Sequence, residues 1–289
     1  MAQAAFLPRV LSIAGSDSGG GAGIQADLKA FAACATHGMT AITAITAQNT
    51  VGVIEVHSIP PATIIAQVRA VSSDIGVDAV KIGMLATVAT IEAVAAALDL
   101  VPAGTPVVLD PVMVAESGAE LLEPSARTAL IDLLLPRATV VTPNLPEAIA
   151  LAGALPGGLG DEHRSAQERV ERLARAVHAL GPKAVVVTGG HRERAVDLFF
   201  DGRAAVEIPG ERYPDGAAHG SGCTHSSVLA ARLAWGDSPL QAARAAQQLA
   251  SRAVRDGLAG IGAGAGPVDV LGIGRVSATA AGARDPVAS

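Results

Sequence analysis

The sequence predicts a three-layer α/β fold in which a mostly parallel central sheet is flanked by helices. Short β-branched runs alternate with longer alanine-rich helical stretches, and such alternation builds parallel sheets through right-handed crossovers. Most residues of these runs are apolar, which is typical of strands covered on both faces. No internal repeat or linker divides the 289 residues, so we expect one domain over residues 1–277 and a small, polar, disordered tail at 278–289.

The elements follow one another in a regular order along most of the chain. Buried strands are predicted from apolar runs at residues 10–14, 41–46, 79–82, 106–109, 138–141 and 183–188. The helices between these strands are predicted at residues 23–37, 62–74, 87–99, 124–135, 145–152 and 164–180. After Thr188 the pattern changes to a hairpin around the turn signal Asp201-Gly202, with strands at 195–200 and 204–208. Two further helices are predicted at 222–235 and 239–256.

The composition argues against several classes of protein. Half of the residues are apolar and 17% are charged, so the chain has ample material for a core and is not disordered as a whole. The 21 basic and 27 acidic residues give a net charge of −6, whereas a nucleic-acid-binding protein usually carries a basic surface. The chain lacks an apolar run long enough for a membrane span. With only Cys34 and Cys223 and no secretion signal, a soluble cytoplasmic protein is expected.

A first glycine-rich loop, Gly15–Gly23, follows a predicted strand and opens a predicted helix. Bare backbone N–H groups in such a loop can approach a ligand or a phosphate closely. A tight strand-to-helix turn with no ligand would have the same sequence pattern. The loop is not a P-loop, because no Gly-Lys-Ser/Thr ends it. Residues 21–26 fit the loose dinucleotide-binding pattern, but the next predicted strand ends at Gln48 where that pattern needs an acidic residue.

A second glycine loop precedes the helix predicted at 222–235. Gly220, Ser221, Gly222 and Cys223 would present successive N–H groups at the positive end of the helix dipole. Such a terminus suits a phosphate or a developing anion. The same dipole should stabilise a thiolate, so we expect the pKa of Cys223 to be lowered.

Three other interpretations of this cysteine remain open. The first is that Cys223 has only a packing role, as a small buried side chain at a helix start. A cysteine hydrolase would use His219 or His225 as its base, but a third polar group that holds the base is not apparent. A zinc site made of His219, Cys223 and His225 lacks a fourth ligand and the usual paired spacing.

Two acidic positions are predicted at the same edge of the sheet. Asn144 and Glu147 lie three residues apart at a helix start, which is the spacing of a reciprocal N-terminal cap. Asp110 ends the strand at 106–109, and ligands of open α/β sheets gather outside the carboxyl ends of strands. Because carboxylate and amide oxygens suit Mg²⁺, the pair could also orient a metal ion toward nucleotide phosphates.

Six motifs in this order resemble the hydroxymethylpyrimidine/phosphomethylpyrimidine kinases, which are thiamine-pathway members of the ribokinase-like superfamily. The motifs are Ala14–Lys29, Ala47–Thr50, Lys81–Met84, Leu109–Met113, Thr142–Ala148 and His219–Thr224. The resemblance implies a ribokinase-like fold and ATP-dependent phosphorylation of 4-amino-5-hydroxymethyl-2-methylpyrimidine, followed by a second transfer onto the monophosphate. It further implies ATP and Mg²⁺ as cofactors and a homodimer as the assembly.

The same resemblance assigns roles to residues of this chain. Gln48 matches the pyrimidine-binding glutamine, Ala22 and Val112 match the wall of that pocket, and Asp27 lies nearby. A primary amide can pair with both an amino group and a ring nitrogen, as glutamine does with adenine. Gly220, Ser221 and Gly222 match the anion hole. Cys223 matches the residue that activates the substrate hydroxyl.

The remaining roles concern the nucleotide. Asn144 and Glu147 match the magnesium and phosphate motif, and Asp110 is predicted as a further metal-binding carboxylate. Thr188 falls on the nucleotide side, where the family commonly has a lysine, and His225 replaces an apolar residue. Two other functions stay possible: a pyridoxal or B6-vitamer kinase on the same fold, and a catalytically silent pyrimidine-binding protein.

Overall fold

The computed structural model describes residues 6–115, 118–153, 165–189, 195–214 and 216–275, and these residues build a single nine-stranded sheet. The strands, numbered in chain order, are β1 (Arg9–Asp17), β2 (His37–Asn49), β3 (Gly52–Ser58), β4 (Ala79–Ile82), β5 (Val107–Leu109), β6 (Val140–Val141), β7 (Val185–Val187), β8 (Val196–Phe200) and β9 (Ala205–Pro209). Their order in the sheet is β3-β2-β1-β4-β5-β6-β7-β8-β9. The pairs from β2 to β7 are parallel, whereas β3, β8 and β9 pair antiparallel. The predicted mostly parallel sheet is thereby confirmed.

Helices cover both faces of the sheet. They are α1 (Gly23–Ala33), α2 (Pro61–Asp74), α3 (Val88–Ala97), α4 (Ala126–Ala129), α5 (Leu145–Ala152), α6 (Ala166–His178), α7 (Ser221–Ala234) and α8 (Pro239–Arg255). One apolar core joins α2 through α6 to one face, and the other joins α1, α7 and α8 to the opposite face. The predicted three layers are therefore present. No helix among the described residues is long and apolar enough to cross a membrane.

The second core is built from small side chains, in keeping with the scarcity of aromatic residues. Helix α8 turns a stripe of buried alanines toward the sheet and α7, namely Ala242, Ala243, Ala246, Ala250 and Ala253. Alanine adds little volume and loses no side-chain entropy on burial, so helices packed through alanine can approach closely. This close approach keeps α7, which carries the second glycine loop, against strands β4 and β5.

Three elements differ from their predictions. Helix α1 ends at Ala33 rather than at residue 37, because the chain turns at Ala35 (φ +53°) and enters β2 at His37. Strand β3 was not predicted, since most of its residues are exposed and it lacks the buried apolar run of an inner strand. The helix predicted at 124–135 is only α-helical over α4 and continues as a π-helical turn, Leu130–Leu134, and a 3₁₀ turn. The predicted tail at 278–289 lies outside the described residues, and the domain boundary at 277 stays a prediction.

Candidate active site

A cavity of about 440 Å³ opens at the carboxyl ends of the parallel strands. Both glycine loops line it, although they are about two hundred residues apart in the chain. All of the predicted site residues except Asp27 contribute to its wall, namely Ala22, Gln48, Asp110, Val112, Asn144, Glu147, Thr188, Gly220, Ser221, Gly222 and Cys223. The sheet edge thus brings together the groups that sequence analysis placed at strand ends, as expected for an open α/β sheet.

The first glycine loop is organised by a carboxylate that sequence analysis did not select. Asp17, the last residue of β1, accepts hydrogen bonds from the backbone N–H groups of Gly19 (2.8 Å), Gly21 (3.0 Å) and Ala22 (2.8 Å). Burial alone would raise the pKa of Asp17, but hydrogen bonds from His219 and these backbone groups hold it below its ordinary value. An acidic residue inside a glycine loop, directly after a buried strand, was the signal that could have identified it.

The second loop needs glycine at its helix start. Gly220 is the N-cap of α7 and has a left-handed backbone, with φ +83°. A Cβ atom there would lie 1.8 Å from the carbonyl oxygen of Gly21 in the first loop, so only glycine allows the two loops to meet. The N–H of Ser221 donates to the Ala218 carbonyl oxygen at 3.0 Å, whereas those of Gly222 and Cys223 have no acceptor in the described part of the chain. These two N–H groups at a helix N-terminus form a candidate anion hole.

The predicted lowering of the Cys223 pKa is wrong. The thiol is partly accessible from the cavity, yet burial raises its pKa to about 12 and the carboxylates of Asp27 and Asp110 act in the same direction. The ammonium group of Lys81 opposes them, as does a hydrogen bond from the backbone N–H of Gly23. The helix terminus was the only influence visible in the sequence, and the surrounding protein outweighs it. In the free protein the thiol is therefore protonated at neutral pH.

Lys81 is a second group that sequence analysis did not assign to the site. Its side chain is fully buried on β4, and Nζ lies 2.8 Å from Oδ1 of Asp27. Desolvation would lower the pKa of Lys81, but the neighbouring carboxylates, Asp27 above all and also Asp110, more than reverse this, so the pKa is raised and the lysine stays charged. Lys81 lines the cavity and places a fixed positive charge beside the anion hole.

Asp27 lies near the cavity but not in its wall. It is fully buried, and its carboxylate accepts hydrogen bonds from Ser12 (2.6 Å), Ser227 (2.7 Å) and Lys81. A carboxylate with these three partners lies beneath the cavity wall instead of facing the cavity. Its effect on a ligand is therefore indirect, through the orientation of Lys81.

Gln48 lies half-buried at the end of β2 with its backbone fixed. Its N–H donates to Oγ of Ser18 at 2.8 Å, and the same hydroxyl donates to the Gln48 carbonyl oxygen at 2.7 Å. The hydroxyl of Thr46 donates to Oε1 of the side chain at 3.2 Å. The amide nitrogen has no acceptor among the described residues, so a donor and the second lone pair of the oxygen are available to a ligand.

The Asn144–Glu147 pair forms the predicted reciprocal cap and also lines the cavity. Oδ1 of Asn144 accepts the Glu147 N–H at 2.9 Å, and Oε2 of Glu147 accepts the Asn144 N–H at 2.9 Å. Burial, together with the neighbouring carboxylate of Asp110, raises the pKa of Glu147 to about 8. Two buried carboxylates that disfavour each other's charge are relieved by a divalent cation, and oxygen donors are those that Mg²⁺ prefers. The residues present therefore fit this metal.

The two histidines of the second loop turn away from Cys223. Nε2 of His225 lies 3.1 Å from Oδ2 of Asp197, and Nε2 of His219 lies 3.0 Å from Oδ2 of Asp17. A zinc site of both histidines with Cys223 is therefore not supported, and neither ring is held as an ion pair with the thiol. His225 instead links α7 to the loop after β7, because Oδ1 of Asp197 accepts the N–H of Gly189 at 2.7 Å.

The cavity extends past Thr188 into a part that sequence analysis did not foresee. Its wall there includes Tyr213, Pro214 and a face of α8 that carries Gln247, Ser251 and Val254. A wall that combines apolar surface, such as Pro214 and Val254, with polar side chains suits a heteroaromatic ring. No motif marked these residues: Tyr213 and Pro214 lie in the loop between β9 and α7, and the pattern of α8 is explained by packing alone.

Several known proteins are similar to this chain. The family model described as phosphomethylpyrimidine kinase matches residues 17–269. The hydroxymethylpyrimidine/phosphomethylpyrimidine kinase of Rhizobium meliloti (strain 1021) is 49% identical over 262 residues, which are 89% of this chain and 95% of that protein.

Two solved structures are also similar. The pyridoxal kinase from Staphylococcus aureus in complex with AMP-PCP and pyridoxal superposes with a TM-score of 0.81 at 34% identity, over 94% of this chain and 96% of that one. The phosphomethylpyrimidine kinase from Clostridium difficile 630 gives a TM-score of 0.70 at 38% identity, over 83% and 96%. These neighbours confirm the predicted ribokinase-like fold.

Proposed function

The chain belongs to the phosphomethylpyrimidine kinase family, and we propose that its cavity transfers the γ-phosphoryl group of ATP to 4-amino-5-hydroxymethyl-2-methylpyrimidine and then to its monophosphate. It is an enzyme of the phosphotransferase class. The observation that carries the proposal is the joint presence of Gln48, the anion hole before Cys223 and the Asp110–Glu147 pair on one cavity. Phosphoryl transfer needs mainly positioning and charge stabilisation, and these groups supply both.

The Gln48 side chain explains the choice of an aminopyrimidine. Its amide nitrogen can donate to a ring nitrogen while its oxygen accepts from the neighbouring amino group, so one side chain reads both atoms of the ring edge. Ala22 and Val112 would cover the ring. With the ring so placed, the hydroxymethyl oxygen points toward Cys223, whose thiolate would accept its proton as attack begins.

We place ATP in the part of the cavity beyond Thr188. The similar pyridoxal kinase from Staphylococcus aureus is described in complex with AMP-PCP, an ATP analogue. The wall formed by Tyr213 and α8 would take the adenine ring, and the γ-phosphate would then reach the N–H groups of Gly222 and Cys223. Lys81 would add a positive charge close to the transferred group.

Mg²⁺ would be held by Asp110 and Glu147, and when bound it neutralises charge on the phosphate oxygens. Asn144 supports this position through the cap that orients Glu147. Because both carboxylates must be ionised to bind the metal, a protonated Glu147 competes with it.

This competition predicts a pH-dependent effect of Mg²⁺ on stability. Glu147 has a pKa of about 8 in the folded protein against 4.5 for the ordinary group, so the folded state binds more protons between these values and loses stability as pH rises. Mg²⁺ should reverse this loss, and its effect on Tm should be larger at about pH 9 than at about pH 6. Differential scanning fluorimetry measures the Tm with and without Mg²⁺ at each pH. Glu147→Gln should remove the pH dependence of the Mg²⁺ effect, and an unchanged dependence would exclude Glu147 as a ligand.

The proposed function is tested by incubating the protein with MgATP and the pyrimidine alcohol and following ADP and the phosphorylated products. We expect the monophosphate first and the diphosphate later. A kcat/KM for pyridoxal above that for the pyrimidine would favour the pyridoxal kinase alternative. Pyrimidine binding by calorimetry with no ADP formed would identify a silent binding protein instead.

We further propose that the protein is a cytoplasmic homodimer that associates through the ribbon of β2 and β3. Strand β3 is an edge of the sheet, and the ribbon exposes the large apolar side chains Ile45, Val51, Ile54 and Val56. Such a patch on an edge strand is a site of association, and a second copy would cover both the apolar surface and the open edge.

The dimer predicts a change of mass upon substitution in this ribbon. Ile54, which is 80% exposed, should give a monomer when replaced by glutamate, because a buried charge in the interface is unfavourable. Light scattering after size-exclusion chromatography measures the mass. Leu133→Glu, in the π-helical turn after α4 and 38% exposed, is the control outside the ribbon and should stay dimeric. A monomeric parent protein would contradict the proposal.

A further inference from the structure

One carboxylate connects the two glycine loops of the cavity. Asp17 is only 3% exposed and has four hydrogen-bond partners. Three are the backbone N–H groups of Gly19, Gly21 and Ala22 in the first loop, at 2.8, 3.0 and 2.8 Å. The fourth is Nε2 of His219, at 3.0 Å, in the second loop 202 positions further along the chain.

His219 is in turn fixed by its own backbone. Its N–H donates to the Gly266 carbonyl oxygen at 3.2 Å, and its carbonyl oxygen accepts from Val268 at 3.1 Å. The ring packs directly on the first loop, since a Cβ atom on Gly21 would lie 2.1 Å from Cδ2 of His219. The next residue, Gly220, packs on the Gly21 carbonyl group. The ring and the helix start therefore rest on the same peptide of the first loop.

The residues next to this contact are those with proposed roles in binding and transfer. Ala22, whose N–H is held by Asp17, lies in the wall of the pyrimidine pocket. Gly220, which follows His219, begins the anion hole. The reaction requires the substrate hydroxyl to lie in line with a phosphate held by that anion hole, and a misplacement of about 1 Å can cost about 10²-fold in rate.

We propose that Asp17 and His219 are a pair of positioning residues that sets the distance between the pyrimidine pocket and the anion hole. Asp17 acts through Ala22, His219 acts through Gly220, and their hydrogen bond joins the two. The inference rests on the proposed function, because it assumes that the pyrimidine and the transferred phosphate occupy these two loops.

The chemistry of the pair decides which substitutions are informative. Oδ2 of Asp17 accepts from Gly21, Ala22 and His219 together, whereas Oδ1 accepts only from Gly19. An asparagine whose oxygen takes the Oδ2 position would keep the link to His219, so alanine, which removes all four bonds, is the informative substitution. At position 219, glutamine can place an N–H donor where Nε2 of the imidazole stands. Leucine fills similar space without a donor.

The test compares kcat with the binding of each ligand alone. His219→Leu should lower kcat for the pyrimidine by about 10²-fold, while the calorimetric Kd values for the pyrimidine alone and for MgATP analogue alone change less than about threefold. His219→Gln should restore most of the lost kcat. Asp17→Ala combined with His219→Leu should be no slower than the slower single variant, because each change breaks the same connection.

Asp78→Asn is a matched control. Asp78 also accepts from a backbone N–H and a side chain, both of Arg9, but at the amino end of the sheet away from the cavity. This variant should lose stability and keep its kcat.

The inference is overturned if His219→Leu keeps its kcat, if glutamine rescues no better than leucine, or if the two losses multiply in the double variant. Should His219→Leu fail to fold, His219→Asn replaces it in the same comparisons, because its amide nitrogen stands nearer the Nδ1 position and misses Asp17. Absence of turnover by the unaltered protein would instead overturn the proposed function, and the inference with it.

Discussion

Replacing Cys223 with alanine should lower kcat for phosphorylation of the pyrimidine alcohol by about 10²–10⁴, which is the usual contribution of a positioned general base. The thiol stands at the start of α7, between the anion hole and the buried ammonium of Lys81. Removal of sulfur leaves the N–H groups that hold the phosphate in place. KM for ATP should therefore change little, and steady-state kinetics with both substrates varied separates the two effects.

The pH dependence of kcat/KM follows from the raised pKa of the Cys223 thiol. Burial raises it to about 12, so only a small fraction is thiolate at neutral pH, and that fraction grows about tenfold per pH unit below the pKa. For the unaltered enzyme, kcat/KM should rise with pH from about 7 to 10, whereas the residual activity of Cys223→Ala should not share this rise. Cys34→Ala is the matched control, because Cys34 is also a free cysteine but packs against the core on the far side of α1. An unaltered kcat in Cys223→Ala would reduce Cys223 to a packing residue.

The sequence predicts the inner strands of the sheet but does not predict the edge strand β3. The runs at 79–82 and 138–141 are apolar except for Lys81 and Thr139, because both faces of their strands are covered, and this burial produces the pattern that predicts them. Strand β3 carries Glu55 before Val56 and His57 after it, and is exposed for most of its length. Its stability comes from pairing with β2, a contact between neighbours in space that single-residue hydrophobicity does not encode.

The same limit applies to the site. Gln48, Cys223 and the Asn144–Glu147 pair were found because strand ends, helix starts and glycine loops have local signatures. Asp17 and Lys81 were not, since their importance lies in partners distant in the chain, His219 and Asp27. The error at the Cys223 pKa has the same origin, because a helix dipole is a local property whereas burial and neighbouring charges are set by the whole fold.

Gly220→Ala should reduce kcat/KM by at least about 10²–10³, comparable to the loss of an oxyanion-hole donor. Two effects add at this position. The backbone is left-handed at φ +83°, and the new Cβ would lie 1.8 Å from the Gly21 carbonyl oxygen, a distance that no side-chain rotation can relieve. Either the first loop or the start of α7 must move, and both hold groups of the reaction. Steady-state kinetics and the Tm of the variant measure the consequences.

Gly104→Ala separates backbone strain from the collision between loops. Gly104 has nearly the same left-handed backbone, φ +87°, but no atom lies within 4 Å of its Cβ position, and it precedes β5 at the end of the sheet away from the cavity. Alanine there should cost about 1–2 kcal/mol of stability and leave kcat/KM as it was. If Gly220→Ala behaved like Gly104→Ala, strain would be the whole effect and contact between the loops would not matter for catalysis. A loss of activity in Gly220→Ala that exceeds its loss of stability links phosphoryl transfer to the start of α7 and its contact with Gly21, because Gly104 has the same backbone strain but neither this contact nor a place in the cavity wall.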